Sequence, residues 1–215
     1  HLNTVITLLY GEKYNVNDVH HIYEASKQYN HVCFVDEKNI GQLRPEINPI
    51  LITDIDGTFE KIKLFQHDLG NCLYLDLDII IQGSLDPFFA YCDEPTICET
   101  YWKSFGGRFN SSVIAYNSKD VKHIYEKFSS NSDYIMTKYS DNDDWFLYHE
   151  DLIHRTFPRG LIYSFLFGVD ERYDTSPRAY QIKKDYPIVL LNGQKETTVD
   201  LKQKYYDALS LHKMG

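Results

Sequence analysis

The sequence predicts an open α/β fold in which helices cover a central sheet. Two observations favour this class. Short apolar segments alternate with amphipathic segments through the first half of the chain, as strands and helices do in such folds. Asp36, Asp76 and Asp78 fall at the ends of apolar segments, and ligands bind at the carboxyl ends of the strands in an open sheet. The 215 residues suit one domain with a sizeable core.

The first strand and helix follow from apolar periodicity. Residues 4–10 form a β-branched, apolar run that Gly11 ends. Residues 17–29 carry apolar side chains at helical spacing, and Asn17 or Asp18 suits the N-cap. The chain therefore opens with a strand that leads directly into a helix.

The remaining elements continue the alternation, less regularly in the second half. The first half adds a strand at 32–35, an extended segment at 47–53 broken by Pro49, a helix at 59–66 and a strand at 72–76. The second half adds strands at 96–100 and 112–116, helices at 120–128 and 145–156, and a strand at 188–191 closed by Asn192-Gly193.

Composition narrows the function classes. The formal net charge of −9 argues against nucleic acid or an anionic membrane as the main partner. No apolar run is long enough to span a bilayer and no signal peptide is visible, so we expect a cytoplasmic protein. The four cysteines show no paired spacing, and Cys33 and Cys72 lie in strand-like runs. Buried free thiols in a reducing compartment are therefore expected.

The most informative motif is Asp76-Leu77-Asp78 in an apolar run. In a strand these two carboxylates would share one face, and their repulsion would disfavour a core position. A hard cation such as Mn²⁺ or Mg²⁺ would neutralise them and leave coordination positions for phosphate oxygens. The spacing alone also suits an exposed turn, but the apolar flanks indicate a buried segment. We therefore interpret the motif as a metal–diphosphate site.

A rival motif lies at Asp54-Ile55-Asp56-Gly57-Thr58. It matches the nucleophile motif of haloacid-dehalogenase-type phosphatases, in which the first Asp attacks phosphorus and the second acts as acid and base. The preceding run contains Pro45 and Pro49, which are poor in a central strand, and the second metal motif of those enzymes is missing. We interpret the segment as a surface turn that starts the next helix with Thr58 as its cap.

The order of seven segments along the chain is informative. They are 9–14 (LYGEKY), 32–36 (VCFVD), 61–65 (KIKLF), 73–78 (LYLDLD), 83–88 (GSLDPF), 109–113 (FNSSV) and 192–195 (NGQK). The set resembles the metal-dependent GT-A-fold glycosyltransferases related to glycogenin and the bacterial lipooligosaccharide galactosyltransferases. Viral members are especially similar, and a viral chain would act in host cytoplasm. The resemblance implies one GT-A (Rossmann-like) domain over 1–215 with a mixed, mostly parallel sheet. Nucleotide binding would occupy about 1–90, sugar and acceptor binding about 91–195, and a helix or tail 196–215.

The resemblance implies a nucleotide site. The first loop would hold the base and ribose, with a plain strand-to-helix turn as the alternative. Asp36 would lie near the uracil or simply cap a helix, and Lys61 would reach the diphosphate. The residues implied to bind the nucleotide are Leu9, Tyr10, Gly11, Tyr14, Asp36, Lys61, Asp76, Leu77, Asp78, Ser111 and Lys195.

The resemblance also implies a sugar and metal site. Asn110 and Ser111 would contact the donor sugar, unless they form a turn that opens a strand. Asp143-Asp144 falls where relatives carry Asp-Gln near the reacting sugar carbon. Because Asp replaces the Gln here, the two residues could instead be a solvated helix start. Asp76 and Asp78 would bind the metal, with Asn192 or the tail residue His212 in place of the family's third histidine ligand.

The implied activity is transfer of a hexose from a UDP-sugar, such as UDP-glucose or a related donor, to a glycan or other hydroxyl acceptor. The reaction would depend on Mn²⁺ or Mg²⁺ and would retain the anomeric configuration. Two alternatives stay open at this stage. One is the phosphatase, which would use Asp54 and Asp56. The other is a non-catalytic module that binds UDP-sugar or glycan, and the missing histidine ligand favours it.

Overall fold

The computed structural model describes residues 2–102, 108–169, 180–193 and 197–214. Two sheets organise the fold. The strands are β1 (Asn3–Leu9), β2 (Asn30–Val35), β3 (Asn48–Leu51), β4 (Asn71–Leu75), β5 (Ile79–Ile81), β6 (Thr96–Glu99), β7 (Phe109–Asn117), β8 (Arg155–Thr156), β9 (Ile162–Ser164) and β10 (Ile188–Leu190). The helices are α1 (Val16–Ala25), α2 (Glu37–Ile40), α3 (Glu60–Lys63), α4 (Asp86–Phe89), α5 (Lys122–Ser129), α6 (Ser132–Lys138), α7 (Asp143–His149) and α8 (Thr198–Met214). Short 3₁₀ turns flank α3 and precede α5.

The larger sheet has seven strands in the order β3-β2-β1-β4-β7-β6-β8. The pairs among the first four strands are parallel, whereas β7 runs antiparallel to both β4 and β6. The prediction of a mixed, mostly parallel α/β sheet is therefore confirmed. The carboxyl ends of β1, β2 and β4 meet at one edge, and β7 begins at that same edge.

Two cores cover the faces of this sheet. On one face, Val19 and Ile22 of α1 pack with Phe88 of α4. On the other face, Ile62 of α3 packs with Phe128 of α5. Helices on both faces explain why β1, β2 and β4 are buried along nearly their whole length rather than on one face alone.

The smaller sheet is β5-β10-β9, with β5 antiparallel to β10 and β9 parallel to it. Helix α8 covers it through Leu201 and Tyr205, which are buried against Tyr163 and Phe165. No helix in the ranges given above has the length and apolarity needed to cross a bilayer.

Local chemistry sets the starts of the first two helices, and it corrects one assignment. The N-cap of α1 is Asn15 rather than Asn17 or Asp18. Its side chain accepts from the N–H of Asn17, and Asp18 returns the bond to Asn15 as a capping box. The N-cap of α2 is Asp36.

Two further assignments differ from the sequence prediction. Asp76-Leu77-Asp78 lies in a bend between β4 and β5, because the chain leaves the large sheet there to join the small one. The predicted helix at 145–156 covers only Asp143–His149. Its end coincides with a positive φ of 53° at Asp151, after which Arg155–Thr156 pairs with β6. Elements absent from the prediction are α2, α4, α6, β5, β8 and β9.

All four cysteines are buried and free, as predicted for Cys33 and Cys72. Burial raises the pKa of the Cys33 thiol to about 11 and that of Cys72 to about 12. These thiols are therefore protonated packing groups rather than nucleophiles.

Candidate functional site

An ion pair anchors the site at the end of β4. Lys61 of α3 places its Nζ atom 2.9 Å from Oδ1 of Asp76, with only 12% and 21% of the two side chains exposed. The same Nζ donates to Oγ of Ser111 at 3.0 Å, and the hydroxyl of Tyr74 donates to Oδ1 of Asp76 at 2.6 Å. The Asp76 carboxylate is thus held by two donors from neighbouring elements.

The charges of this network keep Lys61 protonated. Burial alone would lower the pKa of Lys61, but the nearby carboxylates of Asp76 and Asp143 outweigh that effect and raise it. The pKa of Tyr74 is raised well above its usual value by burial and by Asp76, so its hydroxyl remains a donor.

The second carboxylate, Asp78, has a different environment. Burial and the charge of Asp76 raise the pKa of Asp78 to about 6. Burial first, and then the charge of Asp78, raise the pKa of the Tyr14 hydroxyl in the first loop. The backbone carbonyl of Asp78 accepts from the N–H of Leu191 at 2.9 Å. Asp78 therefore lies between the first loop and the end of β10.

Both carboxylates open into one pocket of about 170 Å³ at the carboxyl edge of the large sheet. The pocket combines aromatic rings, two lysines and the acidic pair. Its lining residues are Leu8, Tyr10, Lys13, Tyr14, Thr58, Lys61, Tyr74, Asp76, Leu77 and Asp78.

The loop after β1 forms one rim of the pocket. Leu9 is buried at the end of the strand, and Gly11 adopts a positive φ of 67°, where a side chain would be strained. The N–H of Gly11 donates to Oδ2 of Asp36 at 2.9 Å, while Oδ1 of Asp36 accepts from the N–H of Asn39 at 3.1 Å. Asp36 therefore both caps α2 and fixes the first loop.

Asp143 lies at the start of α7 and is only 4% exposed. Ser111 lies beside its side chain, and the Oδ2 atom of Asp143 is buried without a hydrogen-bond partner. Burial, only partly offset by Lys61, raises the pKa of Asp143 to about 6. Ser111 thus lies between Asp143 and the Lys61–Asp76 pair.

Asp144 and Asn110 make local bonds beside these residues. Oδ1 of Asp144 accepts from the N–H of Trp145, and Oδ1 of Asn110 accepts from the N–H of Ser112, both at 2.9 Å. The Asn110 bond has the form of an Asx turn, although Asn110 lies inside β7 rather than in a turn before it.

The two candidates for the third metal ligand, Asn192 and His212, lie in different parts of the structure. Asn192 directly follows Leu191, which bonds to Asp78, although its Oδ1 atom accepts from Ser164 at 2.8 Å. His212 is exposed in the last turn of α8, about 21 Å along the helix from Thr198, and so is not brought to the pocket. Lys195 lies outside the described residues.

Four pocket residues were not assigned to the site from sequence: Leu8, Lys13, Thr58 and Tyr74. Lys13 lies inside the 9–14 segment. Tyr74 precedes Asp76 by two positions, so strand alternation could have placed its hydroxyl beside that carboxylate. Thr58 was interpreted as a helix cap, but no side-chain cap bond forms there. Its hydroxyl donates instead to the backbone carbonyl of Asp141 at 2.5 Å.

The donor groups fit a hard divalent cation. Asp78 is a carboxylate withdrawn from water beside a second carboxylate, and a cation would offset that repulsion. No group of three or more His, Cys, Asp or Glu in the described ranges is arranged for a metal ion. Mg²⁺ and similar ions commonly use one or two carboxylates together with water and phosphate oxygens, so the pair suffices when a phosphate is present.

The rival motif forms a surface turn, as predicted. Asp54 is exposed with a positive φ of 52°, and Asp56 pairs with Lys63 at 3.3 Å. The preceding strand β3 is the edge strand of the sheet. Neither carboxylate lines the pocket.

Solved glycosyltransferases share this architecture. Two structures of the galactosyltransferase LgtC, an active-site mutant and a complex with donor and acceptor sugar analogues, match with TM-scores of 0.60 and 0.58. Their identities are 14% and 15%, and 96% of each chain is covered. The apo form of the glycosyltransferase GlyE from Streptococcus pneumoniae TIGR4 matches with a TM-score of 0.62 at 13% identity, over 100% of this chain and 64% of its own.

No protein-family model and no curated protein sequence matches the chain. At these low identities the structural likeness establishes the fold alone. The chain has a GT-A-like α/β fold.

Proposed function

We propose that this chain is a glycosyltransferase that moves a hexose from a UDP-sugar to a hydroxyl group of a glycan acceptor, with Mn²⁺ or Mg²⁺ and with retention of configuration. The observation that carries the proposal is the pocket that holds Asp76, Asp78 and Lys61 at the carboxyl edge of the sheet. Open α/β sheets bind nucleotides at this edge. The resemblance of the LYLDLD and GSLDPF segments and the GT-A-like fold support the same assignment.

Asp76 and Asp78 would hold the cation, with an oxygen of Asn192 as a further donor from the segment beside Asp78. When bound, the metal ion would neutralise negative charge that gathers on the leaving diphosphate. Lys61 supplies a second, permanent positive charge at the same place, since its raised pKa keeps it protonated.

The remaining residues would bind the nucleoside and the hexose of the donor. Tyr10, Gly11, Tyr14 and Asp36 form and brace the loop proposed to hold the base and ribose. Asn110 and Ser111 would contact the hexose.

In the transfer step, the bond between the sugar C1 and the phosphate oxygen breaks, and the acceptor oxygen bonds to C1. The acceptor proton passes to the leaving phosphate. Asp143, buried next to Ser111, would face the developing positive charge at C1.

The test is UDP release from a panel of UDP-sugars, with Mn²⁺ or with EDTA. The variants are the double substitution Asp76→Asn/Asp78→Asn and, as a matched control, Asp54→Asn in the surface turn. We expect metal-dependent release by the wild-type protein and by Asp54→Asn, and none by the double variant.

Other results would favour the alternatives. UDP binding without release from any donor or acceptor would support the non-catalytic binding module. Phosphate release from simple phosphate esters that Asp54→Asn abolishes would support the phosphatase and overturn the proposal.

A further inference from the structure

Two lysines line the pocket, and only one of them forms an ion pair with a carboxylate of the described residues. Lys61 is committed to Asp76 and Ser111. Lys13 lies with its Nζ atom 5.2 Å from the ring centre of Tyr14. Among the described residues it forms no ion pair within 4 Å. Lys13 is therefore a pocket cation that the fold itself does not neutralise.

The loop that carries Lys13 is fixed on both sides. Before it, the N–H of Gly11 is bonded to Asp36 at 2.9 Å. After it, Asn15 begins α1 with a complete capping box. The adjacent Tyr14 is packed against the core that contains Val19 and Ile22 of α1. The Lys13 side chain is exposed on this fixed backbone, so its ammonium group can contact a ligand at a small cost in backbone order.

The two lysines approach the pocket from different faces of the sheet. Helix α1, which follows Lys13, packs on the face that contains Val19 and Ile22. Helix α3, which carries Lys61, packs on the opposite face through Ile62. Lys61 is paired with Asp76, and both lysines act electrostatically on Asp78, Lys61 more strongly than Lys13.

The charge balance of the pocket leaves a role for a second lysine. A divalent cation held by the carboxylates of Asp76 and Asp78 would coordinate phosphate oxygens, but the charges of the ion and the two carboxylates sum to zero. Positive side chains are therefore needed to balance the charge of the diphosphate, and a flexible ammonium group is a common phosphate ligand.

We propose that Lys13 is a phosphate-binding residue of the donor pocket, which contacts the diphosphate of the nucleotide sugar from the side opposite Lys61. The inference rests on the proposed function. It adds a residue to which neither the motifs nor the likeness to solved structures assigns a role.

The experiment is calorimetric titration with uridine, UMP and UDP, in Mn²⁺ and in EDTA. The variants are Lys13→Met, Lys13→Arg and, as a control, Lys38→Met. Lys38 is an exposed lysine that pairs with Glu12 of the same loop. We expect Lys13→Met to weaken UDP binding about tenfold, which corresponds to about 1.4 kcal/mol, with a smaller loss for UMP and none for uridine. Lys13→Arg and Lys38→Met should bind as the wild-type protein does.

The outcomes separate this inference from the proposed function. Equal losses for uridine and UDP would mean that Lys13 shapes the loop and would overturn the phosphate contact. Unchanged UDP binding in Lys13→Met would do the same while leaving the proposed function intact. A wild-type protein that binds no UDP would overturn the proposed function and this inference together.

Discussion

Lys61 and Asp76 form an ion pair with a separation of 2.9 Å between Nζ and Oδ1, across 15 positions of sequence. The pair joins helix α3 to the end of β4 and lies mostly out of solvent. A third group, the Tyr74 hydroxyl, is bonded to the same carboxylate oxygen. Removal of either partner would leave a largely buried charge, so the pair affects both stability and ligand binding.

The first prediction concerns Lys61→Met. The substitution leaves Asp76 without its cation and should lower the free energy of unfolding by about 1–2 kcal/mol. It should also weaken UDP binding. The control is Lys63→Met, which removes the partner of the buried Glu60 outside the pocket and so also destabilises the fold. Chemical denaturation and calorimetry should show a stability loss in both variants and a UDP-affinity loss in Lys61→Met alone. Equal affinity losses would contradict the assignment.

The second prediction concerns Asp143→Asn. Burial raises the pKa of Asp143 to about 6, so ionisation of this carboxylate destabilises the folded protein. The destabilisation is absent below about pH 3.8 and fully present above about pH 6. Metal-free Asp143→Asn should therefore be more stable than the wild-type protein at pH 8, by about 1–3 kcal/mol, and equally stable near pH 3.5.

Function should change in the opposite direction in this variant. Sugar transfer by Asp143→Asn should be lost while UDP binding persists. A variant that loses UDP binding, or one that is less stable at pH 8, would count against the role of Asp143 at the sugar.

The sequence predicts the first half of the fold well because the information there is local. The runs that become β1, β2 and β4 are mostly apolar, and Gly11 and Asp36 follow the first two of them. The acidic pair could be recognised for the same reason. The bend at Asp76 could not be predicted, because it depends on pairing between β5 and β10, which are distant in sequence.

The rest of the site depends on contacts that periodicity cannot detect. Ser111 meets Lys61 and Asp143 only because β7 pairs antiparallel with β4 and α7 packs beside it. The sequence left Asp143 and Asp144 open as a solvated helix start, but tertiary packing buries Asp143. The tail histidine His212 was a candidate on residue type alone, and α8 carries it away from the pocket.

The third prediction concerns Glu150, which is 24% exposed beyond the end of α7. A hydrogen bond from Tyr139 and the ammonium groups of Lys127 and Lys138 lower its pKa from 4.5 to about 2. Because the folded pKa is depressed, the stabilisation is complete above about pH 4.5 and is lost as the pH falls towards 2.

Glu150→Gln should therefore destabilise the protein by about 1–2 kcal/mol at neutral pH, and by progressively less in acid. Denaturation at pH 7 and pH 3 checks this. Glu12→Gln should have little effect, because its pair with Lys38 is 85% and 57% exposed. An undiminished difference at low pH would contradict the ionic origin of the effect.

The fourth prediction concerns Gly193. A Cβ atom there would lie 2.9 Å from Cδ2 of Leu166 and 3.4 Å from Cδ1 of Leu201. The 2.9 Å approach requires the Leu166 side chain to shift, and Leu166 is fully buried in the packed core, whereas 3.4 Å from Leu201 is an ordinary contact. Gly193→Ala should cost about 1–3 kcal/mol of stability through overpacking. Gly41→Ala is the control, since nothing lies within 4 Å of its Cβ position and its φ is −69°. Similar melting temperatures for the two variants would contradict this packing.

The most direct test of the central claim is electron paramagnetic resonance of Mn²⁺ in the presence of UDP. The claim is that Asp76 and Asp78 hold a metal–diphosphate complex. Titration of the wild-type protein with UDP present should reduce the signal of free Mn²⁺ in proportion to the protein added. The loss should disappear in Asp76→Asn/Asp78→Asn and persist in Asp54→Asn. Equal depletion of free Mn²⁺ by the double variant and the wild-type protein would contradict the account.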